Sequence, residues 1–196
     1  MEQAIRTILD EHRSISAVLH GLRELASAAQ NPKVKPEFPV FHAMIYYIDA
    51  FPERLHHPKE ELAFFTRVAE RAPESRPIVA KLREQHVQGA ALVRDLEQAL
   101  LAFEAAPAAG AAAFREKVEQ YARFHWEHMR MEEKDLLPLA QKHLKAEDWA
   151  AIAEDFSGNE DPVADLREKD FRTLYQRILN LAPQPIGFGE RWKASA

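Results

Sequence analysis

His128-Met129-Arg130-Met131-Glu132-Glu133-Lys134-Asp135-Leu136-Leu137-Pro138 has an echo earlier in the chain, His56-His57-Pro58-Lys59-Glu60-Glu61-Leu62-Ala63-Phe64-Phe65. Both stretches carry His-x-x-x-Glu-Glu-x-x-apolar-apolar. On a helix, residues four apart share a face, so His56 stands beside Glu60 and His128 beside Glu132. An imidazole nitrogen next to a carboxylate is half of a nitrogen and oxygen metal site, and the chain makes that half twice.

Working outward, the rest of the chain has helical period. Apolar residues recur at spacings of three and four: Ile5, Ile8, Leu9, Ile15, Leu19 and Leu22 with His12 on the same stripe, then Val79, Leu82, Val93, Leu96 and Leu100 around His86. Another stripe holds Phe114, Val118, Tyr121, His125, His128, Glu132 and Leu136. Prolines and small residues punctuate these stretches. The spacing predicts helices over about 2–29, 38–72, 77–104 and 111–144, with a bend near Pro52 and Pro58 and a small-residue loop over 105–110. Two shorter helical segments follow, over 147–156 and 162–181, before a tail carrying Trp192. The expected fold is therefore all-α: an up-down-up-down four-helix bundle over residues 1–145, with a helical extension over 146–196 packed on it.

With 196 residues and only 6 glycines, the chain suits one helical domain with a real core. A net charge of -5 supplies no basic stripe for nucleic acid. No apolar run approaches membrane-spanning length and no leader opens the chain, so the expectation is a soluble cytoplasmic protein with neither membrane nor nucleic acid as partner. The absence of cysteine excludes disulfides, thiolate zinc and iron–sulfur chemistry, so any metal must be held by nitrogen and oxygen.

Chain length tests whether the two halves meet. In antiparallel neighbours, two residues share a level only if each is equally far from the turn between them. His12 and His56 lie about 17 and 18 residues from the first turn; Glu60 and His86 each lie about 12 from the second; His86 and His128 lie about 18 and 17 from the third. Three turns thus bring His12, His56, Glu60, His86, His128 and Glu132 to one height. Two ions about 3.5–4 Å apart, bound by paired histidines and bridged by the glutamates, would use every donor. Iron suits these ligands, with manganese or zinc as substitutes.

The order His, His-x-x-x-Glu, His, His-x-x-x-Glu over residues 1–145 resembles the hemerythrin-like (HHE cation-binding) family, in its bacterial single-domain form. The resemblance implies a non-haem pair of irons, often oxo- or hydroxo-bridged, that takes dioxygen, nitric oxide or peroxide, or that handles iron. It maps His12, His56, Glu60, His86, His128 and Glu132 onto ligand positions. Oxygen-carrying members place a second histidine one turn beyond the third-helix ligand. Here that position is Ala90, which leaves one iron short of a ligand. Members that repair iron–sulfur centres carry cysteines near the amino terminus, and this chain has none.

Each reading has a blander counterpart. His57 and Glu61 form a second His-x-x-x-Glu pair; since one helical step turns a side chain by about 100°, only one pair is expected to face inward, and His56/Glu60 aligns better with His128/Glu132. His125 is either an extra ligand or a group behind the ligands. Glu53, Glu127 and Tyr121 are candidates to hydrogen-bond ligand imidazoles, or plain surface side chains. His20, His42 and His143 read as solvated, and Phe38, Phe41, Tyr46, Tyr47, Phe51, Phe64 and Phe65 as core. The leading functional expectation is binding or sensing of a small oxidant, with no protein partner indicated. Iron storage or delivery, a peroxide- or oxygen-processing enzyme, and a purely structural site are the alternatives. A ferritin-like arrangement needs Glu-x-x-His on two helices, and only Glu53 to His56 has that spacing.

Overall fold

The computed structural model describes residues 1–157 together with Ile178 and Asn180. Helix α1 spans Glu2–Ala28. Helix α2 covers residues 38–71 in one continuous run whose turn changes along its length: α-helical over Phe38–Ile48, π-helical over Asp49–His56, a single α turn over His57–Lys59, π-helical again over Glu60–Phe65, and α-helical over Thr66–Arg71. Helix α3 spans Arg76–Ala105. Helix α4 covers residues 107–143, with a π segment at Glu132–Leu136 between Pro107–Met131 and Leu137–His143. Helix α5 spans Ala146–Ser157.

Helix α2 does not break at Pro52 or Pro58. A proline inside a helix removes one backbone donor. Around Pro52 the chain answers by widening to π turns, which commonly mark functional sites. All three π segments adjoin the half-sites. The loop expected over 105–110 is shorter in the structure. Only Ala106, at φ -144° and ψ 77°, leaves the helix, and Pro107 opens α4 at once. Gly110 is then a contact residue: a Cβ there would stand 2.5 Å from the Cα of Phe103, so its absence lets α3 and α4 approach closely at their turn.

Two apolar clusters show how the helices run. One holds Ala4 and Ile8 of α1, Phe64, Phe65 and Val68 of α2, Val79 and Leu82 of α3, and Leu136 and Ala140 of α4. The other holds Ile15 to Leu25, Phe41 to Leu55, Val93 to Phe103, and Phe114 to Ala122. Each of α1 to α4 therefore starts in one cluster and ends in the other, alternately, which is an up-down-up-down bundle. The residues between the clusters are His12, His56 to Glu60, His86 and His128 to Glu132. At the far end Phe41, Phe103 and Phe114 meet edge-on and stacked, with ring centroids 5.1–6.0 Å apart. Tyr46, expected in the core, instead faces solvent.

Helix α5 closes the end that holds Phe64. Its Trp149, Ile152 and Phe156 are buried in that cluster. Arg71 grips Asp148 through two hydrogen bonds of 2.9 and 3.1 Å, and Asp148 also accepts from the Lys145 backbone, capping the helix start. The expected helix over 162–181 and the tail with Trp192 lie outside the described residues, except Asn180 and Ile178, which is buried in the other cluster. Among the described residues no helix is long and apolar enough to cross a membrane.

Candidate metal centre

Between the clusters lies a layer of polar groups almost wholly shut off from water: His12, His56, His57, Glu60, His86, His128 and Glu132 are each at most 6% exposed. Their donor atoms form two overlapping groups. His12, His56 and Glu60 make one; His57, Glu60, His86 and His128 make the other. Glu60 belongs to both. Its Oε1 stands 2.8 Å from His56 Nε2 and 3.5 Å from His12 Nε2, while its Oε2 stands 3.5 Å from His86 Nε2. Glu132 also spans the layer, with Oε2 3.4 Å from His12 Nε2 and 4.0 Å from His128 Nε2.

The opposite nitrogen of four of the five imidazoles is held from behind. His12 donates from Nδ1 to Glu133 (2.9 Å), His56 to Glu11 (2.7 Å), His86 to Glu61 (2.8 Å) and His128 to the Gln85 side-chain oxygen (3.2 Å). His57 Nδ1 stands 3.3 Å from Glu53 Oε2, just outside hydrogen-bond geometry. An ionised carboxylate can only accept, so Glu133, Glu11 and Glu61 put a proton on Nδ1 of His12, His56 and His86, and each of these rings, once neutral, turns its lone pair inward at Nε2.

That arrangement suits a cation. Six inward atoms have no hydrogen-bond partner: His12 Nε2, His57 Nε2 and both oxygens of Glu60 and of Glu132. Each buried group left so costs about 1–3 kcal/mol. His86 Nε2 and His128 Nε2 lie 3.2 Å apart, within hydrogen-bond distance; His86, raised against its burial by Glu60 and Glu61, is the donor, and His128, lowered by burial, accepts. The titration behaviour agrees. Burial pushes both carboxyls up. Glu60 is nonetheless held well below the usual range by His56 and His12, whereas Glu132, beside the charge of Glu60, is pushed up. Burial would lower the imidazoles too. Glu132 and Glu133 instead raise His12 well above its ordinary value, and Glu60 with Glu11 raises His56 to about 9. The centre gathers positive charge, here as protons. His57, where burial wins, drops to about 3, and His128 is likewise lowered. Both are neutral at ordinary pH and ready to donate a lone pair.

Residues 3–140 match the hemerythrin HHE cation binding domain. The chain belongs to that family. No similar protein is found among curated sequences. As a hemerythrin HHE domain the chain is a cation-binding protein, and its buried histidine and glutamate cluster is where a metal ion could be held.

Of the pairs at 56/60 and 57/61, His56 and Glu60 both turn inward, and His57 is buried beside them without Glu61. The π turns on either side of this single α turn take an extra residue each, so consecutive side chains diverge less than on a regular helix. Glu61 does turn outward and holds His86 instead. His125 is buried but lies outside both donor groups, its Nε2 3.3 Å from Glu53 Oε1. Tyr121 donates to Glu53 and not to an imidazole (2.9 Å), and Glu127 is exposed. His42 and His143 pair with Glu104 and Glu74. The roles of Glu11, Gln85 and Glu133 were not read from the sequence; each adjoins a half-site residue, and that adjacency was the available signal.

Proposed function

We propose that this hemerythrin HHE domain holds two metal ions, iron in the first instance, in one buried centre, and that a small oxidant such as dioxygen, nitric oxide or peroxide binds there. The observation that carries the reading is the convergence of five imidazoles, those of His12, His56, His57, His86 and His128, on a carboxylate, Glu60, whose two oxygens face different histidine groups. His12, His56 and Glu60 Oε1 would hold one ion. His57, His86, His128 and Glu60 Oε2 would hold the other, with Glu132 shared.

The two positions are unequal. One has two imidazoles and the other three, so the ion beside His12 and His56 keeps more room for an incoming molecule. The fifth imidazole, missing at Ala90, would be supplied by His57. Imidazole and carboxylate donors suit iron, and also admit manganese or zinc. Iron in such a site supplies one-electron chemistry and a Lewis-acid position for a small ligand. The chain's own part is to orient the donors through the Nδ1 contacts and to keep out bulk water. Phe51 and Phe65 stack over His56 and His86, and Phe156 lies edge-on to His56 at 6.4 Å. Such enclosure favours retention of the ions over ready delivery to an acceptor.

The test is anaerobic loading with ferrous iron, metal analysis, and absorption spectra before and after adding nitric oxide, peroxide or oxygen. Two irons per chain and new near-ultraviolet and visible bands are expected. A centre with fewer than two ions, or with spectra unchanged by all three, would overturn the proposal.

A further inference from the structure

Behind His57 lies a second polar cluster that the two-ion reading does not use. The Glu53 side chain is 5% exposed and points inward from the first π segment of α2. Its Oε1 accepts from the Tyr121 hydroxyl at 2.9 Å and from His125 Nε2 at 3.3 Å, and its Oε2 faces His57 Nδ1. The carboxylate fits because residue 89 is glycine: a Cβ there would stand 2.9 Å from Glu53 Oε1. Gly89 and Ala90 follow His86 by three and four residues, on the face of α3 that turns toward the centre. The small residues of α3 thus leave a notch, and α2 fills it.

We infer that Gly89, Glu53, Tyr121 and His125 form a positioning unit that makes His57 a metal donor, moving the fifth imidazole from α3 to α2. This inference rests on the two-ion reading above. Neither Glu53 nor Tyr121 touches an ion in it. Tyr121 and His125, both at most 1% exposed, occupy Oε1 and fix the plane of the carboxylate, so that Oε2 is the atom left for His57. An acceptor at that place keeps the His57 proton on Nδ1 and its Nε2 free.

The unit therefore works through a tautomer, which gives it a specific test. In Glu53→Gln the amide oxygen is retained by the two donors at Oε1, which places the NH2 group against His57 Nδ1. That nitrogen must now accept, its proton moves to Nε2, and His57 can no longer bind an ion. Gly89→Ala displaces the same carboxylate by contact. His57→Ala sets the endpoint.

The experiment is titration of the full-length chain with cobalt(II), read by equilibrium affinity and by the visible absorption bands that report cobalt coordination. Wild type is expected to take two ions. E53Q and G89A should bind the first as wild type does, and the second about 10- to 100-fold more weakly, with bands shifted toward those of H57A. Tyr121→Phe should give a smaller shift of the same kind. Circular dichroism of the metal-free chains checks folding, and should G89A fail to fold, E53Q decides the matter. Variants that match wild type, or that weaken both ions equally, would overturn the role given to Glu53. A wild-type chain that binds fewer than two cobalt ions would instead overturn the two-ion reading itself.

Discussion

Metal loading should be strongly coupled to protons over a higher range than free imidazole suggests. Burial alone would keep His56 neutral, but Glu60 and Glu11 raise it to about 9, and His12 and His86 are raised as well. A histidine binds metal only after losing its proton. At pH 7, expelling one proton from a group titrating near 9 costs about 2.7 kcal/mol, so apparent affinity should rise roughly 100-fold from pH 7 to 9. Unperturbed imidazoles would give a curve that flattens above about 6.5. The sign for the metal-free fold is opposite. His56, raised in the folded state, contributes stability that is fully present below about 6.5 and lost as pH rises through about 9. His57, lowered to about 3, contributes stability present above about 6.5 and lost as pH falls toward 3. Chelator competition with zinc from pH 6 to 9, with proton release followed by an indicator dye, measures the coupling. Glu11→Gln should move the flattening to lower pH. An affinity that is flat above pH 7 in the wild-type chain, with no proton released, would refute the reasoning.

Replacing Glu60 or Glu132 by alanine should abolish stoichiometric binding of at least one ion, whereas Glu61→Ala and Glu133→Ala should keep the metal count and lose about 10- to 100-fold in affinity; metal analysis after dialysis separates the two cases, and equal content in all four would contradict the division of roles. Phe114→Ala removes a fully buried ring from the aromatic end of the core and should cost about 3–5 kcal/mol in denaturant unfolding, with the cobalt spectrum unchanged. Asp148→Ala removes both the Arg71 contacts and the cap on α5, so amide exchange over 146–157 should quicken while α1 to α4 stay protected.

The four rods and the depth at which they carry their donors could be read from the chain because helical rise is fixed, and distance to a turn then determines height. His12, placed by nothing more than a stripe and a length, lies 3.4–3.5 Å from Glu60 and Glu132. What could not be read depends on local departures from that regularity. The paired burial of His56 and His57 follows from turns that widen to π, and no periodicity built on 3.6 residues anticipates it. The turn at Ala106 looked like a six-residue loop because Pro107 and Gly110 read as breakers, although alanine is the strongest helix former and a proline suits a first turn. What shortens it is the approach of Phe103 to Gly110, a contact between different helices. Glu11, Gln85 and Glu133 went unread for a related reason: each supports a histidine on another helix, so no spacing within one helix shows the pairing.

Once the order of the helices is known, those three residues and Glu61 obey a rule. Glu11 on α1 supports His56 on α2, Glu61 on α2 supports His86 on α3, Gln85 on α3 supports His128 on α4, and Glu133 on α4 supports His12 on α1. The supporting residue comes one before its own half-site residue on α1 and α3, and one after it on α2 and α4. Seen from one end, a right-handed helix turns counterclockwise as it rises toward the viewer and clockwise as it descends. One step back on a rising helix and one step forward on a falling one therefore rotate the same way, by about 100°. All four supports swing toward the same neighbour, and the hydrogen bonds close into a ring that runs once around the bundle. Four imidazoles are thereby oriented by the packing of the helices. His57 is outside the ring, since its partner Glu53 lies on its own helix one turn earlier. Its orientation cannot come from the helix order and must come from a local device, which is what the Gly89 notch and the two donors on Glu53 provide.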